Sequence, residues 1–210
     1  MTAVRSSART AVLGILGGAA ALALVGGFAI GLPKAADSAT GVAALPDTLP
    51  GGLTAVEVLA QKEVDANGEQ ASQAQQFLDE QGSIQGSAVA ALKKQYDAPV
   101  ELRAYQTADL KSQLTITVIA APAGPFLPQG PVPDPETYGY ARGAYSLEKV
   151  GDGICSSAWS APVPQGQKVD AAEKPTSVYC QVGAGDVTYL ANGNGFTGQE
   201  AVEILDSLAK

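Results

Sequence analysis

Histidine is absent from all 210 residues. That absence removes Ser-His-Asp and Cys-His nucleophile–base pairs and every imidazole-based metal centre from what the chain can assemble alone. Cysteine is nearly as scarce. Cys155 and Cys180 are the only two, too few thiolates to complete a structural zinc site and too far apart for the CxxC unit of a thioredoxin-like centre. Basic side chains are also few: 13 Lys and Arg face 21 Asp and Glu, a formal net charge of -8. From Ala35 onward the balance is 10 against 21, or -11. Such a charge repels nucleic acid and anionic lipid headgroups.

Chemical motifs are missing in the same way. The sequence holds no Walker loop, no GxGxxG opening a βαβ unit, no HExxH and no EF-hand loop. Gly82-Ser83 and Gly86-Ser87 lack the spacing of a GxSxG elbow, and Asp79-Glu80 are adjacent acids, not two carboxylates facing each other across a cleft. No catalytic, cofactor-binding or metal-ligating residue is expected, and no cofactor. The chain reads as non-enzymatic, with a non-metal hydrolase of unrecognised type as the remaining catalytic alternative.

What the sequence does contain begins with a long apolar run. Ala11 to Leu32 is 22 residues without a charge or a strongly hydrogen-bonding side chain; as a helix it would span roughly 33 Å, enough for a hydrocarbon core of about 30 Å. Arg5 and Arg9 precede it with no acid, whereas Lys34 is soon offset by Asp37. The positive-inside rule then keeps residues 1–10 cytoplasmic and exports the rest. The expected partner of residues 11–32 is the lipid bilayer. A cleaved signal peptide ending near Ala36-Asp37-Ser38 is the alternative, which would make the protein secreted. Gly14/Gly18 and Gly27/Gly31 have GxxxG spacing, common by chance in so small-residue-rich a segment.

Two cysteines in an exported domain predict a disulfide. Closing the Cys155–Cys180 loop of about 25 residues would remove roughly 3.5 kcal/mol of unfolded-chain entropy.

Along the chain, residues 33–52 read as a spacer interrupted by Pro33, Pro46 and Pro50. Residues 53–82 read as a helical arm. Thr54-Ala55-Val56-Glu57 has capping-box spacing for a short helix ending at Asn67-Gly68, and a second helix is expected over Gln70 to Gln81. Residues 83–210 read as the main domain. A helix over Ser83 to Tyr96 precedes strands at Val100 to Tyr105 and Leu114 to Ile119. Four more strands are expected at Tyr145 to Val150, Ile154 to Trp159, Ser177 to Val182 and Val187 to Ala191. A last helix follows Thr197-Gly198-Gln199-Glu200, a second capping box, with Ala201, Ile204, Leu205 and Leu208 facing inward. Consecutive strands without crossover helices predict an α+β fold with an antiparallel or mixed sheet packed by helices.

Between strands, Ala121 to Pro135 carries six prolines and two glycines, which preclude a regular element. Phe126 and Leu127 lie in it, followed by Tyr138, Tyr140, Arg142 and Tyr145. Tyrosine offers an apolar face with a polar edge on which Arg can stack, so these six residues form the candidate interaction patch. Packing within the fold is the competing role for each of them. The arrangement of anchor, spacer and disulfide-held domain points to a membrane-tethered extracytoplasmic interaction or ligand-binding module, such as an accessory cell-envelope subunit. Its partner would be an envelope protein or a small ligand. A structural envelope component without a separable ligand is the alternative.

Overall fold

The computed structural model describes residues 42–128 and 131–210. The expected span Ala11–Leu32 lies outside the described residues; among those described, no helix is long and apolar enough to cross a membrane.

The fold is α+β, and every strand pair among the described residues is antiparallel. Thr48–Leu49 (β1) and Leu53–Ala55 (β2) form a tight hairpin. Its turn uses Gly51 and Gly52, both at positive φ, a conformation that costs glycine little. Helices Val56–Asp65 (α1) and Ala71–Tyr96 (α2) follow, then the hairpin of Val100–Thr107 (β3) and Gln113–Ile119 (β4). A 3-10 turn at Pro135–Tyr138 leads to Tyr140–Arg142 (β5), Tyr145–Val150 (β6) and Gly153–Ala158 (β7). Val163–Pro164 (β8), Ser177–Ala184 (β9), Val187–Asn194 (β10) and helix Gly198–Leu208 (α3) complete the chain. Eight strands form one sheet in the order β1-β2-β3-β4-β10-β9-β7-β6, and β5 pairs with β8 in a separate ribbon. The β4–β10 pairing joins the two halves of the sheet at its centre.

Alternation along β3 sorts its side chains between two faces. Tyr105 points into the main core with Leu114, Ile116, Val178, Cys180 and Ala191, and α3 covers them with Ala201, Val202, Ile204 and Leu205. Leu102 and Ala104 point the other way and meet Val56, Val89 and Leu92. α3 starts as its sequence demands. Thr197 Oγ1 accepts from the Glu200 amide at 3.2 Å, and Glu200 Oε2 accepts from the Thr197 amide at 2.7 Å. Burial opposes the Glu200 charge, but the Thr197 amide and Lys174 outweigh it and hold the carboxyl below its ordinary range.

Cys155 and Cys180 are bonded, and they stand directly opposite in the β7–β9 register with Cα atoms 4.1 Å apart. That separation belongs to the closer, non-hydrogen-bonded pair type. The bond therefore pins the register of two neighbouring strands as well as closing the long loop between them.

Several expectations are corrected. The Thr54–Glu57 capping box does not form: Thr54 is in β2 opposite Gln106, and Ala55 precedes α1 without a side-chain cap. Glu57 instead receives a hydrogen bond from Arg103 Nε at 2.5 Å. Strand pairing satisfies the Thr54 backbone, and the carboxylate finds a buried cation in place of an amide.

The helices expected at Gln70 to Gln81 and Ser83 to Tyr96 are one 26-residue helix. Glycine at 82 costs only about 1 kcal/mol against Ala in a helix interior, and one continuous buried face of Ala74, Gln81, Gln85 and Ala88 offsets it. The boundary between an arm ending at 82 and a domain starting at 83 thus falls inside a rigid element. Gln85 Nε2 also donates to the Leu102 carbonyl, on the stretch of β3 that β2 is too short to pair.

The segment read as a spacer over 33–52 is part of the fold from Val42 onward. Val42, Leu45 and Leu49 are buried in the main core. Arg103 holds this stretch in place: Nη1 donates to the Leu45 carbonyl, and Nη2 donates to Asp47 at 2.6 Å. Burial disfavours the guanidinium charge, but Asp47 and Glu57 prevail and raise its pKa further. Tyr105 adds a bond from its hydroxyl to the Pro46 carbonyl at 2.8 Å. Prolines placed where no amide is needed made a docked strap look like a linker. Trp159, expected as the last residue of a strand, lies just beyond β7 and is half-buried.

A tyrosine-lined cleft

The Pro-rich connection ends in an Asp-Pro pair that starts a turn. Asp134 accepts a hydrogen bond from the Glu136 amide at 3.1 Å, and Pro135 fits the first helical position because its missing amide would have no partner there. The turn ends at Tyr138, and Gly139 at φ 71° reverses the chain into β5. Pairing then fixes the next residues: Tyr140 lies opposite Pro164, Arg142 opposite Val163, and the Gln165 amide donates to the Gly139 carbonyl at 2.8 Å. Gly143 passes so close to the start of β6 that a Cβ there would sit 3.1 Å from the Tyr145 carbonyl oxygen.

This path brings Tyr138, Tyr140 and Tyr145 around an open cleft of about 310 Å³, with Pro133, Pro135 and Pro162 as its other large walls. No lining residue carries a formal charge. Tyr138 is 64% exposed and Tyr145 46%, so both rings remain accessible. Tyr140 is half-buried.

Arg142 is engaged elsewhere. Its guanidinium forms a two-pronged ion pair with Glu173, at 2.9 and 3.1 Å, and stacks 4.4 Å from the Trp159 ring centroid. Its part is to rivet β5 to the connection between β8 and β9, outside the cleft lining. Glu173 and Trp159 are partners that sequence spacing did not reveal, since each is remote from Arg142 in the chain.

Phe126 and Leu127 have separate surroundings. The Pro-rich segment crosses the sheet face opposite α3, where the Thr188 hydroxyl donates to the Ala121 carbonyl at 2.7 Å and Gln181 Nε2 donates to the Gly124 carbonyl at 2.8 Å. Phe126 stacks on Tyr179 with centroids 5.0 Å apart. Burial, with Tyr96 nearby, raises the Tyr179 pKa. Leu127 is 78% exposed. Registers Tyr179↔Ser156 and Ser156↔Leu147 put Tyr179 and Leu147 on one face, and Tyr145, two residues before Leu147, shares it. The three cleft tyrosines are thus brought together, Phe126 lies on the same sheet face two strands away, and Arg142 is not part of the lining. Pro133, Pro135 and Pro162 complete the walls; the first two lie in the Pro-rich segment that the sequence singles out, and Pro162 lies beyond β7 with no sequence cue to its place.

Among the described residues, no three His, Cys, Asp or Glu side chains cluster as a metal site would require. Comparison with known protein families, with curated proteins and with solved structures gives no match in any of the three.

Proposed function

We propose that the chain is a membrane-tethered, non-catalytic interaction or ligand-binding module, exported beyond the membrane and serving as an accessory subunit of the cell envelope. The single observation that carries the binding role is the convergence of Tyr138, Tyr140 and Tyr145 on one uncharged cleft. A protein with only seven tyrosines gathers three of them in one place, two of them exposed. Exposed aromatic walls are costly to leave in water and are enriched where partners bind. The apolar run at 11–32, the asymmetry of its flanking charges and the cysteine pair support the membrane-tethered, exported placement.

Two measurements in intact cells test the reading. External protease should remove the acidic domain while an N-terminal tag stays protected. Digestion of the tag with the domain protected would reverse the topology, and a mature chain starting near Thr40 would replace the anchor by a signal peptide. A photoreactive residue at Tyr138 should then crosslink reproducibly to one envelope component, in competition with unlabelled protein, whereas the same probe at Glu203 on α3 should not. Equal labelling at both positions would remove the cleft from the proposal.

A further inference from the structure

We infer that the cleft takes an extended, proline-rich peptide in polyproline-II conformation with a basic residue beside its prolines, an inference that rests on the binding-module reading above. The walls are aromatic and pyrrolidine faces with no charged group. Prolyl rings pack against such faces without losing hydrogen bonds, and the polyproline-II helix arrives already extended, so little conformational entropy is lost on binding. Its carbonyls have no internal partners. They need donors, and the tyrosine hydroxyls are the side-chain polar groups that the cleft walls offer. Recognition of proline-rich segments in aromatic-lined grooves works on this chemistry.

Size and charge narrow the occupant. A volume of about 310 Å³ is at the lower limit of ligand-sized clefts, suited to a few residues of extended chain. An oligosaccharide would also stack on tyrosine, but its hydroxyls need acceptors as well as donors in several directions. Apart from the tyrosine hydroxyls, which can also accept, no side-chain acceptor lines these walls, and no carboxylate or amide is among them. Asp134 and Glu136 flank Pro135 in sequence, and both are exposed. Arg142, the cation nearest the tyrosines in sequence, is neutralised by Glu173. The charged residues that adjoin the lining residues in the chain thus leave an excess of acid, Asp134 and Glu136 against an already paired Arg142, which favours Lys or Arg in the peptide at low salt.

The test uses the purified full-length chain in lipid nanodiscs and a fluorescent oligoproline peptide ending in Arg. A Gly/Ser peptide ending in Arg and a labelled N-acetylglucosamine oligomer serve as the other arms. The oligoproline should bind saturably, and the Gly/Ser peptide should not. Tyr138→Ala and Tyr145→Ala should each weaken binding by about tenfold, the size of effect an anchoring aromatic gives. Both positions are exposed, and unchanged thermal unfolding would show that the fold is intact. Asp134→Asn with Glu136→Gln should weaken binding several-fold at low salt and little at high salt; Asn keeps the acceptor that caps the turn. Saccharide binding that depends on the tyrosines, without oligoproline binding, would overturn the peptide and leave the cleft reading standing. Oligoproline binding unaffected by either tyrosine change would overturn both, as would no binding by any probe together with no crosslink at Tyr138.

Discussion

Glu57 and Arg103 are 46 residues apart in the chain and 2.5 Å apart in the interior. Their side chains are 10% and 9% exposed, so this ion pair is largely withdrawn from water. It joins α1 to β3, and through the same guanidinium the strap at Leu45 and Asp47. A buried pair contributes little over a well-packed apolar replacement, but removing one partner strands the other charge in a low dielectric. Arg103→Ala should therefore cost about 3 to 5 kcal/mol by denaturant unfolding. Arg103→Met combined with Glu57→Leu should cost clearly less than the sum of the two single changes. Asp47, whose side chain is 72% exposed, should matter far less, with Asp47→Asn costing roughly 0 to 1 kcal/mol. Equal losses at Glu57 and Asp47 would contradict this ranking.

Local rules carried the sequence reading where structure is local. The Thr197–Glu200 capping box and the strands expected at Val100 to Tyr105, Leu114 to Ile119 and Tyr145 to Val150 appear where local side-chain pattern places them. Failures came where a distant partner decides. Thr54 has the spacing of a cap, but Gln106 claims it for a strand, and nothing within four residues of Glu57 announces Arg103. Three-residue β2 is too short to show an alternation. At the cleft, the tyrosines were visible as a cluster in sequence. That Arg142 turns to Glu173 and Trp159, and that Pro162 closes the wall, depends on the β5–β8 pairing, which no short-range signal specifies.

The Cys155–Cys180 bond joins two strands that already pair, beneath the first residue of α3. A Cβ on Gly198 would lie 3.3 Å from Cys155 Sγ, so helix and disulfide pack closely. Replacing both cysteines by Ser should lower stability by about 2 to 4 kcal/mol, with added loss because two hydroxyls would replace sulfur in a buried, apolar site. Protein recovered without reductant should show no free thiol, and peptide mapping should recover the linked pair. Two readily alkylated thiols would contradict the bond.

Glu200 gives stability a defined pH dependence. Its folded pKa is lowered, so its contribution is present above the unfolded carboxylate value and is lost as pH falls through the folded value. Glu200→Gln retains an acceptor for the cap but loses the charge facing Lys174 Nζ at 3.0 Å and the helix N-terminus. At neutral pH the variant should be less stable by about 0.3 to 1 kcal/mol. The gap should close as pH drops below about 4.5, the ordinary carboxylate range. A difference that persists unchanged in acid would assign the loss to packing instead of charge.

The strap from Ala121 to Phe126 offers a test of how the outer sheet face is covered. Three contacts hold it: Thr188 to the Ala121 carbonyl, Gln181 to the Gly124 carbonyl, and the Phe126–Tyr179 stack. Gly183, on the same face, leaves just enough room, because a Cβ there would stand 2.8 Å from Ala123 Cβ. Gly183→Ala should lift the strap, with an overpacking cost of about 1 to 3 kcal/mol. Gly193→Ala should behave differently. Its Cβ would fall 2.0 Å from the Gln113 carbonyl oxygen, inside the β4–β10 pairing, and no surface segment can yield to relieve the clash. Hydrogen exchange separates the two cases. In Gly183→Ala faster exchange should be confined to the strap and the adjoining end of β9, while in Gly193→Ala it should spread through β4 and β10. Unchanged exchange across the strap in Gly183→Ala would mean that the segment is not held against the sheet by these contacts.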